Sequence, residues 1–331
     1  MLGIESTCDE TSAAVVEDGR RMLSNVVASS ASMHQKYGGI VPEVAAREQI
    51  KVIIPTIEEC LKESGVVSRD LDAIAIAYGP GLIGSLLIGT ETARTLALSW
   101  NKPLIGVNHL VGHIYANWLE RKDPPKFPLV ALVVSGGHTD LILMPSTGKF
   151  KWLGGTRDDS CGEAFDKVAR VLGLGYPGGP EIEKVASQSQ SGKSSNLKLP
   201  RPMMGTKDFD FSFSGIKTAV VNLVHSSGFT VHGKEEIAYE FQEAVTDVLV
   251  KKTFAAVKKF GVKSVVVGGG VAANGRLREK MEKAGEEDGE KVFFPEKSLS
   301  IDNGAMIAAA AFYEKNFVDP LTLRADSGLH F

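Results

Sequence analysis

Cysteine is scarce in this chain. There are three, Cys8, Cys60 and Cys161, far apart and without a Cys-x-x-Cys pair. That count excludes a disulfide framework and fits a reducing, cytoplasmic compartment. Long hydrophobic runs are missing too. The strongest stretches, Val130 to Val134 and Ala305 to Phe312, have the length of a core strand and a core helix rather than a membrane span. The first residues, Leu2-Gly3-Ile4-Glu5, read as a strand, with no basic leader before an apolar segment, so neither a signal peptide nor a membrane association is expected. Charge of one sign is also lacking. Against 37 Lys+Arg stand 40 Asp+Glu, a net of −3. A histone-like or disordered polyelectrolyte is excluded, while a local nucleic-acid groove stays open.

Glycine, in contrast, is abundant. Average usage of about 7% would give roughly 23, and the chain has 35, with no collagen period. Many sit where strand-like runs meet helical ones, in turns that let a ligand approach the backbone. At 331 residues the prior is two lobes with ample core.

Strand patterns fall at Leu2 to Glu5, Ser12 to Val16, Asp72 to Tyr78, Leu104 to Val107, Leu129 to Val134, Asp140 to Met144, Lys263 to Val267 and Val292 to Phe294. Helical patterns fall at Glu43 to Glu63 with a break at Pro55, Ser85 to Trp100, Leu110 to Glu120, Glu163 to Leu172, Ser214 to Val224, Lys234 to Lys259, Asn274 to Ala284 and Asp302 to Glu314. The alternation predicts an α/β fold with mixed sheets flanked by helices. Ser187 to Leu197, polar and aperiodic, reads as a loop or insertion.

One repeat stands out. Leu2 to Val16 and Leu129 to Met144 both read strand, small polar turn, strand. The tips, Ser6-Thr7 and Ser135-Gly136-Gly137, would present N–H groups and hydroxyls to phosphate oxygens. Gly268 to Gly275 forms a third glycine-rich turn, yet it lacks the acidic partner of a dinucleotide fingerprint. Gly79 to Ser85 lacks the Gly-Lys-Ser/Thr ending of a P-loop and reads as a tight strand-to-helix connection.

His109-Leu-Val-Gly-His113 puts two imidazoles four residues apart, on one face if a helix starts there. Spacing alone leaves a metal pair and a satisfied histidine pair both open. A zinc-protease reading fails, because Leu110 stands where the general-base Glu is needed. Asp302 is a third candidate ligand, although a helix N-cap is its more natural sequence reading. His34 reads as solvated, His138 as a turn-closing or ligand-contacting residue, and Cys161 lacks the neighbouring base of a nucleophile.

Taken in order, the motifs resemble the TsaD family, the tRNA N6-adenosine threonylcarbamoyltransferases, in its bacterial type. The resemblance rests on Gly3-Ile-Glu-Ser-Thr-Cys-Asp-Glu-Thr11, Gly38-Gly-Ile-Val-Pro-Glu43, Gly79-Pro-Gly-Leu-Ile-Gly84, His109-Leu-Val-Gly-His113 and Val134-Ser-Gly-Gly-His-Thr139. It continues through Gly162-Glu-Ala-Phe-Asp-Lys167, Tyr176-Pro-Gly-Gly-Pro180, Phe211-Ser-Phe-Ser-Gly-Ile-Lys217, Gly268-Gly-Gly-Val-Ala-Ala-Asn274 and Asp302-Asn303. The resemblance implies a two-lobed actin, sugar-kinase and Hsp70-like (ASKHA) fold closing on a nucleotide. It suggests an N-terminal lobe over residues 1–106, joined by the C-terminal helix of 302–331, and a C-terminal lobe over 107–301 carrying the metal and adenylate sites.

The implied reaction moves the threonylcarbamoyl group of threonylcarbamoyl-AMP to N6 of the adenosine beside the anticodon, in tRNAs reading codons that start with A, and releases AMP. The resemblance implies one divalent metal, iron or zinc, on His109, His113 and Asp302. It implies adenylate contacts from Val133, Val134, Ser135, Gly136, Gly137, Asp166, Gly179, Glu183 and Asn274, which would also admit ATP, ADP or AMP. Asp9 is the candidate base, and Ser6 and Thr7 the phosphate loop. Val133 in place of Tyr, and His138 in place of Asn, look bacterial or organellar. Implied partners are tRNA, a TsaB-type paralogue, a TsaE-type ATPase and an upstream synthase supplying the donor. Lys193, Lys198, Arg201, Lys207 and Lys217 are candidate tRNA contacts, set against Asp208 and Asp210. A sugar-kinase-type phosphotransferase and a non-catalytic nucleotide-binding scaffold are the rival readings.

Overall fold

The computed structural model describes residues 1–34, 37–189, 196–227, 229 and 231–331. They form two compact units. The first comprises Met1–Pro125, Thr147–Lys149 and Pro295–Phe331, and the second Lys126–Ser146 and Phe150–Phe294.

The first unit opens with β1 (Leu2–Glu5), β2 (Glu10–Glu17) and β3 (Arg21–Ser29), an antiparallel meander, followed by the single turn α1 (Ala31–His34). Then come α2 (Pro42–Ser64), β4 (Ile74–Gly79), α3 (Ile83–Trp100), β5 (Leu104–Asn108) and α4 (His109–Tyr115). The helical pattern expected to break at Pro55 runs unbroken through it. Pro55 lies on the exposed face, where water can satisfy the carbonyl its missing N–H leaves open. The helix expected to reach Glu120 stops at Tyr115 and continues as one 3-10 turn.

The second unit repeats the plan. β6 (Leu129–Val134), β7 (Thr139–Ser146) and β8 (Lys149–Gly155) are followed by α5 (Cys161–Val171), α6 (Gly178–Ala186), α7 (Ser214–Ser227) and the long α8 (Lys234–Phe260). β9 (Ser264–Gly268), α9 (Gly275–Asp288) and β10 (Lys291–Phe293) complete it. The chain then contributes α10 (Gly304–Glu314) and β11 (Phe317–Val318) to the first unit.

The sheets run β11-β5-β4-β1-β2-β3 and β10-β9-β6-β7-β8. In each, one strand pairs antiparallel with its hairpin partner and parallel with a crossover strand: β1 with β2 and β4, β6 with β7 and β9. Every residue of β1 and β6 is buried, as expected of strands covered on both faces. Separate cores surround them, one around Ile4, Ile74 and Leu104, the other around Leu132, Phe165, Phe241 and Val267.

The expected division after residue 106 differs from these units. α4 packs on α10, so the chain stays with the first unit through Pro125. Residues 190–195, within the expected polar loop, lie outside the described residues, as does Lys193.

Candidate active site

Asn108 ends β5 and begins α4. Its side-chain oxygen accepts the Leu110 N–H at 2.8 Å, so the helix starts at His109. His109 and His113 then share a face, and their rings lie 4.6 Å apart. Gly112 lies between them. A Cβ there would meet Ile307 Cδ1 at 2.9 Å, so glycine lets α4 approach α10 this closely without displacing that side chain.

Asp302 arrives from the other side. The cap of α10 is Asn303, whose oxygen accepts the Met306 N–H at 3.0 Å while its nitrogen donates to the Ile301 carbonyl at 2.7 Å. The capping role expected of Asp302 is therefore filled by its neighbour. α10 itself lies directly on β1, where a Cβ on Gly3 would stand 2.2 Å from the Gly304 carbonyl oxygen. Asp302 Oδ1 lies 3.2 Å from His113 Nε2 and 3.5 Å from His109 Nε2. One ligand atom from each of the three falls within 4.8 Å of the others.

The chemistry of this set fits a metal ion. His113 is fully buried, and neither ring nitrogen makes a hydrogen bond to the described residues. A buried imidazole left this way is costly unless its nitrogen has another partner. His109 is oriented from behind: Nδ1 lies 2.9 Å from Glu5 Oε2 and 3.2 Å from the Thr7 hydroxyl, leaving Nε2 toward Asp302. A carboxylate behind a histidine is the usual support of a metal ligand. Burial alone would lower the His109 pKa, but the charges of Glu5 and Asp302 outweigh it and raise it to about 9. His109, His113 and Asp302 offer the two nitrogens and one oxygen that suit zinc or iron(II).

Around the triad lies the turn between β1 and β2. The Ser6 hydroxyl donates to the Ser85 carbonyl at 3.2 Å, and the Thr7 hydroxyl faces His109. Both hydroxyls are thus engaged by the protein, as is the Thr7 N–H, which donates to Glu5 Oε1 at 2.6 Å. Asp9 is nearly buried. Beside it, Glu10 is pushed up to about 10 by burial, by its hydrogen bond with Asp9 and by the nearby Asp302 and Asp9 charges.

In the second unit, the β6–β7 tip is closed by the Ser135 N–H donating to the His138 carbonyl at 2.9 Å and the His138 N–H to Ser135 Oγ at 3.1 Å. The backbone of His138 closes the turn. The start of α5 holds the tip through the Gly162 N–H, 3.1 Å from the Ser135 carbonyl. Val133 and Val134 are buried in β6, with Val133 paired to Gly268 of β9. Asp166 accepts the Gly178 N–H at 2.7 Å, fixing the start of α6 beside Gly179. Glu183 Oε1 accepts the Gly275 N–H at 2.9 Å, and Glu183 Oε2 lies 3.4 Å from the Asn274 amide nitrogen. Asn274 also caps α9 by accepting the Leu277 N–H at 2.9 Å. A Cβ added at Gly136, Gly137, Gly179 or Gly270 would meet no atom within 4 Å. Open space at glycine backbone is what a ligand cradle requires.

Sequence reasoning missed Glu5, Glu10 and Gln49. An acidic residue closing an otherwise apolar strand was the available signal for Glu5. His34, expected in solvent, is fully buried. Cys161 is also buried, and burial alone pushes its thiol far up, so it is inert. Two candidate tRNA contacts are engaged in the protein: Lys217 pairs with Asp159 at 2.9 Å, and Arg201 with Glu240 and Asp247. No helix among the described residues is long and apolar enough to cross a membrane.

Comparison with known proteins follows the same outline. Residues 21–309 match the family model described as "TsaD: tRNA N6-adenosine threonylcarbamoyltransferase". A protein of that name from Symbiobacterium thermophilum is 54% identical over 314 residues, spanning 95% of this chain and 91% of the relative. Another from Moorella thermoacetica is 48% identical over 331 residues, spanning 98% and 95%. Among solved structures, full-length HypF in its phosphate- and nucleotide-bound form superposes with a TM-score of 0.61 at 14% identity, over 95% of this chain and 46% of HypF. Component A of the Acidaminococcus fermentans (R)-2-hydroxyglutaryl-CoA dehydratase gives 0.54 at 16% identity, over 96% and 98%. At such identities these likenesses speak for the fold, which is of the ASKHA type.

Proposed function

The chain belongs to the TsaD family of tRNA N6-adenosine threonylcarbamoyltransferases, a family of tRNA-modifying transferases, and we propose the reaction it performs and the residues that perform it. The donor is threonylcarbamoyl-AMP. The acceptor is N6 of the adenosine beside the anticodon, in tRNAs reading codons that begin with A. The observation that carries this reading is the cluster of buried His109 and His113 with half-buried Asp302, in a chain so close to named transferases.

His109, His113 and Asp302 would hold one divalent ion, iron or zinc. When bound, such an ion acts as a Lewis acid toward an oxygen of the donor. Glu5 and Thr7 keep His109 Nδ1 occupied and its Nε2 directed at the site. The adenine amine is a poor nucleophile, since its lone pair is delocalised into the ring, and the mixed anhydride compensates with a good leaving group. N6 attacks the carbamoyl carbon, the bond from that carbon to the phosphate oxygen breaks, and AMP departs with the electron pair. Asp9 takes the proton from N6. The turn that begins at Ser6 and Thr7 would steady the phosphate through the N–H groups that follow, because the Thr7 N–H is taken by Glu5 Oε1. No side-chain nucleophile is needed.

For the adenylate we propose Val133, Val134, Ser135, Gly136 and Gly137 of the second hairpin, with Asp166, Gly179, Glu183 and Asn274. Supporting this is the open space at Gly136, Gly137 and Gly179, together with the Glu183–Asn274 contact. Each Glu183 oxygen keeps a second lone pair for a ribose hydroxyl. ATP, ADP and AMP fit the same chemistry.

Partners follow from the family: tRNA, a TsaB-type paralogue, a TsaE-type ATPase and the synthase that supplies the donor, all cytoplasmic. A paralogue partner is supported by the exposed apolar side chains of Ile50 and Ile54 on α2 and of Ile83 and Leu87 on α3.

The test is direct. The protein, with its partners, is incubated with threonylcarbamoyl-AMP and unmodified tRNA, and AMP and the modified nucleoside are measured. Equal yields of both are expected. A phosphorylated product with ATP would favour the sugar-kinase reading. Nucleotide binding without any product would favour a scaffold.

A further inference from the structure

The turn from Ser6 to Asp9 joins β1 to β2 and is built of small polar residues with no core of its own. Its peptide groups are largely buried, so their partners decide its shape. Gln49 of α2 is 1% exposed. Its amide nitrogen faces the carbonyl oxygens of Ser6 at 3.3 Å, Cys8 at 3.0 Å and Glu10 at 3.2 Å. Three acceptors fix the orientation of the amide, because the flipped group would set oxygen against oxygen. The Ser85 hydroxyl also donates to the Cys8 carbonyl at 3.0 Å, and the Leu82 N–H to the Thr7 carbonyl at 2.8 Å.

Asp9 is held from the opposite side. The N–H of Ser30 lies 3.1 Å and its hydroxyl 2.9 Å from the Asp9 carbonyl oxygen, and both donate to it. With its one proton so used, the Ser30 hydroxyl accepts from His34 Nε2, 3.1 Å away. His34 Nδ1 in turn accepts the Val41 N–H at 3.3 Å. An imidazole that accepts at Nδ1 and donates at Nε2 is the neutral Nε2–H tautomer, so the chain Val41, His34, Ser30, Asp9 has one direction.

All five carbonyls from Ser6 to Glu10 are therefore claimed by the scaffold. In a trans peptide the N–H points opposite the carbonyl that precedes it. Fixing the Thr7 and Cys8 carbonyls therefore also fixes the direction of the Cys8 and Asp9 N–H groups.

We propose that Gln49 and the Ser30–His34 pair are positioning residues for the transfer, holding Asp9 and the N–H face of its turn in register while touching neither metal nor substrate. This rests on the role given to Asp9 above. It draws together residues 30, 34 and 49, whose buried polar side chains all act on the backbone of one turn.

The test uses the full chain with its partners and three variants: Gln49→Leu, His34→Gln and His34→Asn. Steady-state kinetics, bound metal and Tm are measured on each. Gln49→Leu removes the two N–H donors shared among the three carbonyls and also the amide oxygen, which is buried and makes no hydrogen bond among the described residues, so the loss of stability is partly offset. A displaced reacting group should lower kcat by at least about tenfold, with KM for tRNA and the metal content unchanged. His34→Gln can still donate to Ser30 and should keep most of kcat. His34→Asn keeps only the acceptor for Val41 and should lose as much as Gln49→Leu. A Gln49→Leu protein with wild-type kcat, or His34→Asn as active as His34→Gln, overturns the inference while wild-type transfer stands. A wild type that holds metal yet transfers nothing overturns the functional reading and this inference with it.

Discussion

Glu5 Oε2 and His109 Nδ1 lie 2.9 Å apart, although 104 positions separate them in the chain. The other Glu5 oxygen accepts the Thr7 N–H at 2.6 Å. One buried carboxylate thus ties His109, a proposed metal ligand, to the turn that precedes Asp9. Glu5→Gln keeps the size and removes the charge that makes the imidazole a stronger donor. Metal affinity should fall about 10- to 100-fold, read by competition with a chelator of known affinity. An unchanged affinity would mean that Glu5 supports the fold only.

His113 offers a sharper separation of metal from fold. With Nδ1 making no hydrogen bond among the described residues, Nε2 facing only Asp302 Oδ1 at 3.2 Å and the side chain fully buried, the metal-free protein carries a poorly satisfied polar group costing about 1–3 kcal/mol. His113→Leu removes that burden along with the ligand. The variant should bind no metal, and after chelator treatment its Tm should equal or exceed that of equally treated wild type. Added metal should raise Tm only in the wild type. A metal-free variant less stable by several kcal/mol would show that His113 serves the fold by itself.

These sites were unequally legible. His109 and His113 were visible because a four-residue spacing is a local helical fact. Asp302 was ambiguous, since Asp and Asn are equally good caps, and the answer depended on Asn303 taking that place. Glu5 and Gln49 act on residues far along the chain, and no local period reports that. β3 was overlooked because its residues are mostly half-buried and do not alternate cleanly, and β8 because it is an edge strand that begins with exposed lysines. The helix through Pro55 shows tertiary packing overriding a local breaker.

The second unit has its own acid-sensitive anchor. Lys252 is 2% exposed and donates to Asp208 Oδ1 at 3.0 Å, to the Asp208 carbonyl at 2.7 Å and to Thr206 Oγ1 at 2.6 Å. The Thr206 hydroxyl and the Lys252 ammonium hold the Asp208 carboxyl down at about 2, from an ordinary 3.8. The folded state therefore binds fewer protons than the unfolded chain in that window. The stability this contributes is present above about pH 4 and is lost as pH falls through about 2. Asp208→Asn should lower the urea midpoint at pH 7, with the gap to wild type shrinking between pH 4 and 2. A gap constant over that range would show that the ion pair is not its source.

Gly179 tests the adenylate cradle without confusing binding with folding. It lies in the first turn of α6, and a Cβ there would meet nothing within 4 Å. Alanine is the better helix residue by about 1 kcal/mol, and its smaller unfolded-state entropy acts in the same direction. Gly179→Ala should therefore leave Tm unchanged or raise it. If the open space receives a nucleotide, the added methyl group occupies part of it, and AMP affinity measured by calorimetry should fall by about tenfold or more. A simple loss of structure would lower both quantities together, so opposite movements of Tm and AMP affinity are the signature of a ligand at this backbone. Higher stability with unchanged AMP binding would exclude Gly179 from the site and leave Gly136 and Gly137 to account for it.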